Sequence, residues 1–306
     1  MLKYTLKRIL QLIPVVIGIT FLVYLVLSIS PGDPARMLLT SEASEEMIAQ
    51  KREEMGLNDP VIVQYLRYMA NAIQGDFGVS WFQGFDVMEE FSHRLPYTLI
   101  LASIATLVAV IIGVPAGVYA AVRHNRMPDY IITFFSLLLS AAPTFWLGMM
   151  YQLLFSLHLR WLPASGASNW KCFILPVVSL AGGMLAGNSR MTRSWLLDII
   201  RSDYVRTARA KGNKETVVIF RHALRNALLP VITQIGVGFS NIVGGSLVAE
   251  TVYAFPGIGS FLSSAVKTKD IPIVVGCIVV VSVIIGVTNL IIDLLYAVVD
   301  PRVQLD

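Results

Sequence analysis

Side chains able to carry covalent or metal chemistry are few in this 306-residue chain, and they lie far apart. The four histidines, His93, His124, His158 and His222, fall in separate connecting segments and do not make one metal cluster. Cys172 and Cys277 are remote from each other, form neither a redox nor a metal-binding pattern, and read as packing thiols. No Gly-x-x-x-x-Gly-Lys-Ser/Thr loop occurs, and no glycine precedes a lysine anywhere. The usual cradle for nucleotide phosphates is therefore missing, and the chain is not expected to hydrolyse ATP by itself. An intramembrane protease would need a serine–histidine pair or two aspartates at membrane depth, whereas only Asp293, after the sixth span, reads as a near-membrane acid. No catalytic or metal site is expected.

The ionic groups concentrate instead in a short stretch, Asp203-Tyr204-Val205-Arg206-Thr207-Ala208-Arg209-Ala210-Lys211-Gly212. Ser202 or Asp203 can cap a short helix there, and Gly212 can end it in the left-handed conformation. Asn213 then starts a second helix running through His222-Ala223-Leu224-Arg225 toward Pro230. In such a hairpin, Ala208 and Ala210 are small enough for another protein's backbone to approach closely, with Arg206, Arg209 and Lys211 as an electrostatic rim. The same charge also suits a plain topological anchor, so charge alone leaves both readings open.

The elements that position this stretch are apolar. The chain is 55% hydrophobic and 14% charged, with a mean hydropathy of +0.67, against about 25% charged in an ordinary soluble domain. Such a composition indicates an all-α integral membrane protein. Its formal net charge of +4 clusters in particular loops, which marks topology rather than nucleic-acid binding. Lys3, Lys7 and Arg8 precede an apolar run from Ile9 to Ser30 that exceeds the ~7–15 residues of a secretory signal core and lacks a small-residue cleavage site, so it reads as a retained span.

Charge-free windows long enough to cross a bilayer run from Ile9 to Gly32, Leu95 to Val122, Tyr130 to Leu159, Cys172 to Ser189, Asn226 to Ala249 and Ile271 to Ile292. Six transmembrane helices are predicted. Pro14, Pro115 and Pro143 are read as tolerated kinks inside them. The N-terminal tail, the connection holding Arg123 and Arg126, and the connection from Arg190 to Arg225 are basic, while the loop from Asp33 to Arg94 has eleven acids and five bases. Both termini are therefore expected in the cytoplasm. The corresponding divisions are 1–30 (tail and helix 1), 31–94 (extracytoplasmic helical loop), 95–300 (core with coupling loop 190–225) and 301–306 (tail). In the outer loop, Ser44 can cap a helix through Met55 that stops at Gly56. Asp59-Pro60 opens another toward Ile73 with proline at its first position, and Asp86 with Glu89 resembles a capping box leading into helix 2.

Arg206-Thr207-Ala208-Arg209-Ala210-Lys211-Gly212, followed by His222-Ala223-Leu224-Arg225-Asn226-Ala227-Leu228-Leu229-Pro230, resembles the coupling motif of ABC importer permeases of the dipeptide/oligopeptide/nickel branch. The general motif has Glu-Ala-Ala four residues before glycine; here Arg206 and Thr207 replace its first two residues and Ala208 alone matches. Pro31-Gly32-Asp33-Pro34, Gly75-Asp76-Phe77-Gly78, Trp161-Leu162-Pro163, Glu250-Thr251-Val252-Tyr253-Ala254-Phe255-Pro256-Gly257-Ile258-Gly259 and Asp300-Pro301-Arg302 extend the resemblance over nearly the whole chain.

The resemblance implies a permease in a bacterial cytoplasmic membrane that pairs as a heterodimer with a second, homologous six-helix subunit. Two cytoplasmic ATPases, which use ATP and Mg, would dock on the coupling helices, and an extracytoplasmic binding protein would deliver dipeptides, oligopeptides, glutathione or nickel chelates. This chain itself would bind no cofactor and no nucleic acid. Glu250, Phe255, Pro256, Gly257 and Gly259 become candidates for an outer gate, with Pro256–Gly259 as a tight turn. Gln234, Ser240, Asn241 and Ser246 in helix five are candidates for the pathway wall, or else for hydrogen bonds between helices. A secondary transporter is the rival from another class. It would place paired ionisable groups at the bilayer midplane, and five of these six spans have none.

Overall fold

The computed structural model describes residues 2–39 and 43–299, and the Asp300-Pro301-Arg302 motif lies outside them. Helices follow one another as α1 (Leu2–Ile29), α2 (Pro34–Leu38), α3 (Glu45–Glu54), α4 (Val61–Ile73), α5 (Val87–Val122), α6 (Met127–Ala141) and α7 (Thr144–Tyr151), the last continued by a π-helical segment Gln152–His158. Then come α8 (Ile174–Ile200), α9 (Asp203–Ala210), α10 (Glu215–Val217), a second π-helical segment Val218–Ala223, α11 (Leu224–Val252), α12 (Ile258–Thr268) and α13 (Ile271–Val299).

Among the described residues five helices are long and apolar enough to cross a membrane, and a sixth span requires counting a bent pair as one. The predicted single helix from Tyr130 to Leu159 is broken: α6 and α7 meet at 101°. Pro143 has no N–H to continue the ladder and biases the preceding residue away from helix, and Ala142 is extended at φ −82°, ψ 127°. Pro14 and Pro230 remain within continuous helices, as does Pro115 in α5. Two other boundaries also differ from expectation. α5 begins at Val87 rather than Leu95, and its 36 residues span about 54 Å, well beyond the ~30 Å of a hydrocarbon core. α8 runs on to Ile200, so Arg190 and Arg193 sit on a helix instead of in a loop.

One compact unit comprises Thr5–Thr98 and Pro256–Gly286. Its core packs Phe77, Val87, Phe91, Ile258, Phe261 and Val274 together, with Phe91 edge-on to both Phe77 and Phe261. A second cluster joins Tyr24 of α1 to Tyr65 of α4, and Tyr65 Oη lies 2.8 Å from Thr20 Oγ1. Local caps define the chain between α1 and α5. Asp33 accepts from the Ala35 N–H at the start of α2 and also pairs with Arg52 at 2.9 Å. Ser44 accepts from the Met47 N–H, and Gly56 takes φ +67° just beyond α3, as read from sequence. Pro60 occupies the cap position before α4, one residue earlier than predicted. Asp86 Oδ1 accepts from the Glu89 N–H at the entry to α5.

Neither α12 nor the device that follows it was legible in the sequence. Lys269, at φ +57°, donates from Nζ to the carbonyls of Ser30, Pro31 and Gly32 just after α1. Its neighbour Asp270 is buried and accepts from Ser80 Oγ at 2.6 Å and the Trp81 N–H at 3.3 Å. Two adjacent residues of opposite charge thus staple the α12–α13 junction to both ends of the inserted helical region.

The other unit is built on Leu99–Phe255, with α8 at its centre. Gly113 and Gly117 let α5 press directly on α8. A Cβ at Gly113 would lie 2.7 Å from the Leu185 carbonyl oxygen; one at Gly117 would lie 2.8 Å from Thr192 Cβ and collide with the Ser189 carbonyl. Their spacing is the small-xxx-small pattern that allows close helix approach in membranes, where packing and not water expulsion drives association.

Candidate functional site

α9 is the short basic helix expected after α8, and one of its faces is turned inward. Val205 and Ala208 are buried in a cluster with Val118, Leu196, Val218 and Ala223. Ala208 is 7% exposed. Its methyl group packs against these neighbours within the chain. Tyr204, Arg206, Thr207, Ala210, Lys211 and Gly212 make the exposed face.

Neither predicted cap side chain bonds the start of α9. Ser202 holds the cap position but donates back to the Ile199 carbonyl at 2.6 Å. Asp203 is exposed, and its carboxylate lies 3.8 Å from Arg206. Gly212 is at φ +76° with open space where a Cβ would stand, so the backbone angle and not crowding calls for glycine. Asn213 does not start the next helix. Its Nδ2 donates to the Ala208 carbonyl at 2.9 Å and closes the end of α9, while Lys214 takes the cap position before α10.

Arg209 grips Glu215 through two bonds of 3.1 and 2.7 Å, tying α9 to α10. The guanidinium holds the Glu215 carboxyl below the usual glutamate range, so the pair is charged at neutral pH. Tyr204 Oη accepts from Asn226 Nδ2 at 2.9 Å, fixing α9 to α11. The hairpin is thus braced on α8, α10 and α11 while its outward face carries Arg206 and Lys211 beside an exposed tyrosine.

A buried ionic cluster, missed in the sequence, supports the same end of the unit. Asp129 at the start of α6 is 1% exposed. It receives Arg193 Nε at 2.5 Å and Nη2 at 2.8 Å from α8, the Asn125 N–H at 3.0 Å, and lies 3.2 Å from His124 Nδ1. The signal available was a basic residue beyond the fourth apolar window and an acid just ahead of the third, but no sequence rule pairs residues so far apart.

Of the gate candidates, Glu250, Phe255, Gly257 and Gly259 are buried and Pro256 is half-buried. Glu250, Tyr253 and Phe255 are at most 1% exposed. Tyr253 Oη donates to the Gly148 carbonyl at 3.1 Å and lies 2.8 Å from Ser179 Oγ. The Phe255 ring stands edge-on to Phe173 at 4.8 Å. The tight turn comes earlier than predicted, at Tyr253 and Ala254, where Ala254 has φ +46°. Gly257 is extended in the cap position, and Ile258 and Gly259 already belong to α12.

The four polar candidates of α11 separate. Ser246 is buried and donates to its own Val243 carbonyl, and Ser240 reaches Asn289 Oδ1 of α13 at 3.4 Å. Gln234 is half-buried and Asn241 is exposed. The serines make structural hydrogen bonds, leaving Asn241 and Gln234 as the available wall residues.

Residues 113–305 match the family described as "Binding-protein-dependent transport system inner membrane component", and residues 1–102 match its N-terminal companion family. The chain is 41% identical to the oligopeptide transport system permease protein AppB of Bacillus subtilis (strain 168), over 99% of this chain and 100% of that protein. It is 40% identical to the glutathione transport system permease protein GsiC of Escherichia coli (strain K12), over 99% of each. It is 39% identical to the dipeptide transport system permease protein DppB of Alkalihalophilus pseudofirmus, over 99% and 100%. Among solved structures, the MetNI methionine ABC transporter in an inward-facing conformation aligns with a TM-score of 0.59 at 17% identity, covering 70% of this chain and 97% of that one. That last likeness bears on fold alone.

Proposed function

The chain belongs to the family of binding-protein-dependent transport system inner membrane components, and on that premise we propose that it forms half of the translocation pathway of an ATP-driven importer for dipeptides or oligopeptides. The full-length identity to the oligopeptide permease carries the substrate class. The 40% identity to the glutathione permease supports a second reading in which the solute is glutathione. Both solutes are small, flexible peptides that carry an ammonium group and at least one carboxylate, and this subunit meets them only in passage.

A second permease subunit completes the pathway, two ATPases supply ATP and Mg chemistry, and a binding protein delivers solute from the extracytoplasmic side. The basic ends of α5, α8 and α9 face the cytoplasm of a bacterial cell, in keeping with the positive-inside rule. The exposed face of α9, from Tyr204 to Lys211, is the surface offered to an ATPase. Its support is physical: a short helix braced by Val205, Ala208, the Arg209–Glu215 bridge and the Tyr204–Asn226 bond moves with α8 and α11 rather than independently. In this reading the segment from Glu250 to Gly259 contributes to the outer gate.

The test is uptake of a labelled dipeptide into proteoliposomes holding the assembled complex. Uptake is expected to require ATP inside, the binding protein outside, and no ion gradient. Uptake driven by an ion gradient without ATP would make the chain a secondary transporter.

A further inference from the structure

We propose that the groove between the last turns of α5 and the α10–α11 entry is a binding site for one anionic phospholipid. The groove has a volume of about 580 Å³. Pro115, Val118, Tyr119 and Val122 form one wall, and Ile219 and Phe220 lie in the other. Tyr119 and Phe220 are 51% and 61% exposed, so the groove opens to the surface instead of into the core. From Val114 to Val122 the lining climbs eight residues, about 12 Å along the helix axis, close to the ~15 Å depth of one leaflet's hydrocarbon. An acyl chain lying along α5 matches that length.

Charge selects the lipid. Arg123 directly follows Val122, Arg221 directly follows Phe220 and Lys214 directly precedes Glu215, and all three are exposed. Glu215 is the one acid in the lining, and its charge is already met by Arg209. Three exposed basic residues thus flank the apolar lining along the chain, while the one acid in the lining is already paired. Tyr119 stands at the same level, where an aromatic ring with a polar tip favours the membrane–water boundary. A zwitterionic headgroup brings no net charge to this rim, whereas a phosphatidylglycerol headgroup brings one negative charge.

The chain is purified, reconstituted in nanodiscs of equal phosphatidylglycerol and phosphatidylethanolamine, and released into native mass spectrometry to count retained lipids. One retained phosphatidylglycerol is expected, favoured over phosphatidylethanolamine by roughly five-fold for each basic side chain engaged. The exposed double change Arg123→Gln/Arg221→Gln is expected to cut the preference to the roughly five-fold share of Lys214 without altering the amount of folded chain. A phosphatidylglycerol carrying a photoreactive acyl chain is expected to label the peptides containing Tyr119 and Phe220. Equal retention of both lipids, an unchanged preference in the double variant, or labelling confined to other helices would overturn the proposal. The same photoprobe in the assembled complex gives a further outcome. If a photoreactive residue at position 220 captures another subunit instead of lipid, the groove is a protein interface and the lipid site is refuted.

Discussion

Removing the Asp129 carboxylate tests whether the junction of α6 with α8 is held by one ionic bond rather than by apolar packing. The carboxylate is almost fully enclosed, at 2% side-chain exposure, while its partner Arg193 retains 27%. Both carboxylate oxygens accept from the same guanidinium, the fork geometry in which a charged pair is strongest. Breaking a fully buried pair costs about 3–5 kcal/mol because the remaining charge is stranded. Here Arg193 can turn partly to water, which lowers the expected cost of Asp129→Ala to roughly 2–3 kcal/mol. At about 2 °C per kcal/mol for a chain of this size, the midpoint of thermal unfolding should fall by roughly 4–6 °C.

Asp129→Asn keeps the shape and an acceptor for the Asn125 N–H, so it should fall by less. The decisive measurement is a double-mutant cycle with Arg193→Gln, followed by fluorescence-detected thermal unfolding in mild detergent. Residues in direct contact should be non-additive, with a coupling of about 1–3 kcal/mol, because neither change costs its full amount once the other has been made. Additivity to within about 0.5 kcal/mol would mean that the bond seen in the structure contributes nothing, and the ionic brace would be abandoned.

Four further outcomes follow from the same geometry. Ala210→Trp should uncouple ATP hydrolysis from uptake with normal yield, because Ala210 is exposed, whereas Ala208→Trp should reduce folded yield, because Ala208 is buried; equal yields would misplace the inner face of α9. Gly212→Val should also impair coupling, since a side chain at positive φ costs about 1–2 kcal/mol and shifts the end of the helix; normal ATP-driven uptake would argue against that role. Asp270→Ala should cost about 1–3 kcal/mol by stranding the Ser80 hydroxyl and the Trp81 N–H, and should expose the 76–86 segment to limited proteolysis; an unchanged digestion rate would dismiss the staple. Cysteines at positions 255 and 258 should resist a membrane-impermeant thiol reagent in the nucleotide-free complex, because both native side chains are buried, and should react after ATP binding if the segment is a gate; labelling that ignores nucleotide would make it a fixed structural element.

The parts of the fold that can be read from sequence are those whose cause is local. Apolar length gives five of the spans, and serine, glycine and aspartate at helix ends give the caps of α3 and the entry to α5. Proline misleads because its effect depends on what surrounds it: Pro14 and Pro230 stay in helices, while Pro143 turns the chain by 101°. The staple at Lys269 and Asp270 and the bond between Asp129 and Arg193 are invisible for the opposite reason, since each joins residues far apart in the chain. The motif around Gly212 shows both effects at once. Its glycine and exposed charges are where the pattern puts them, but the alanine that carries the resemblance packs inward. A small residue meets two different needs, close approach of a partner and close packing of a neighbour, and sequence does not separate them. In this chain the second need is met by Val118 of α5 and Val218 and Ala223 before α11, so Ala208 sets how near α9 sits to the spans.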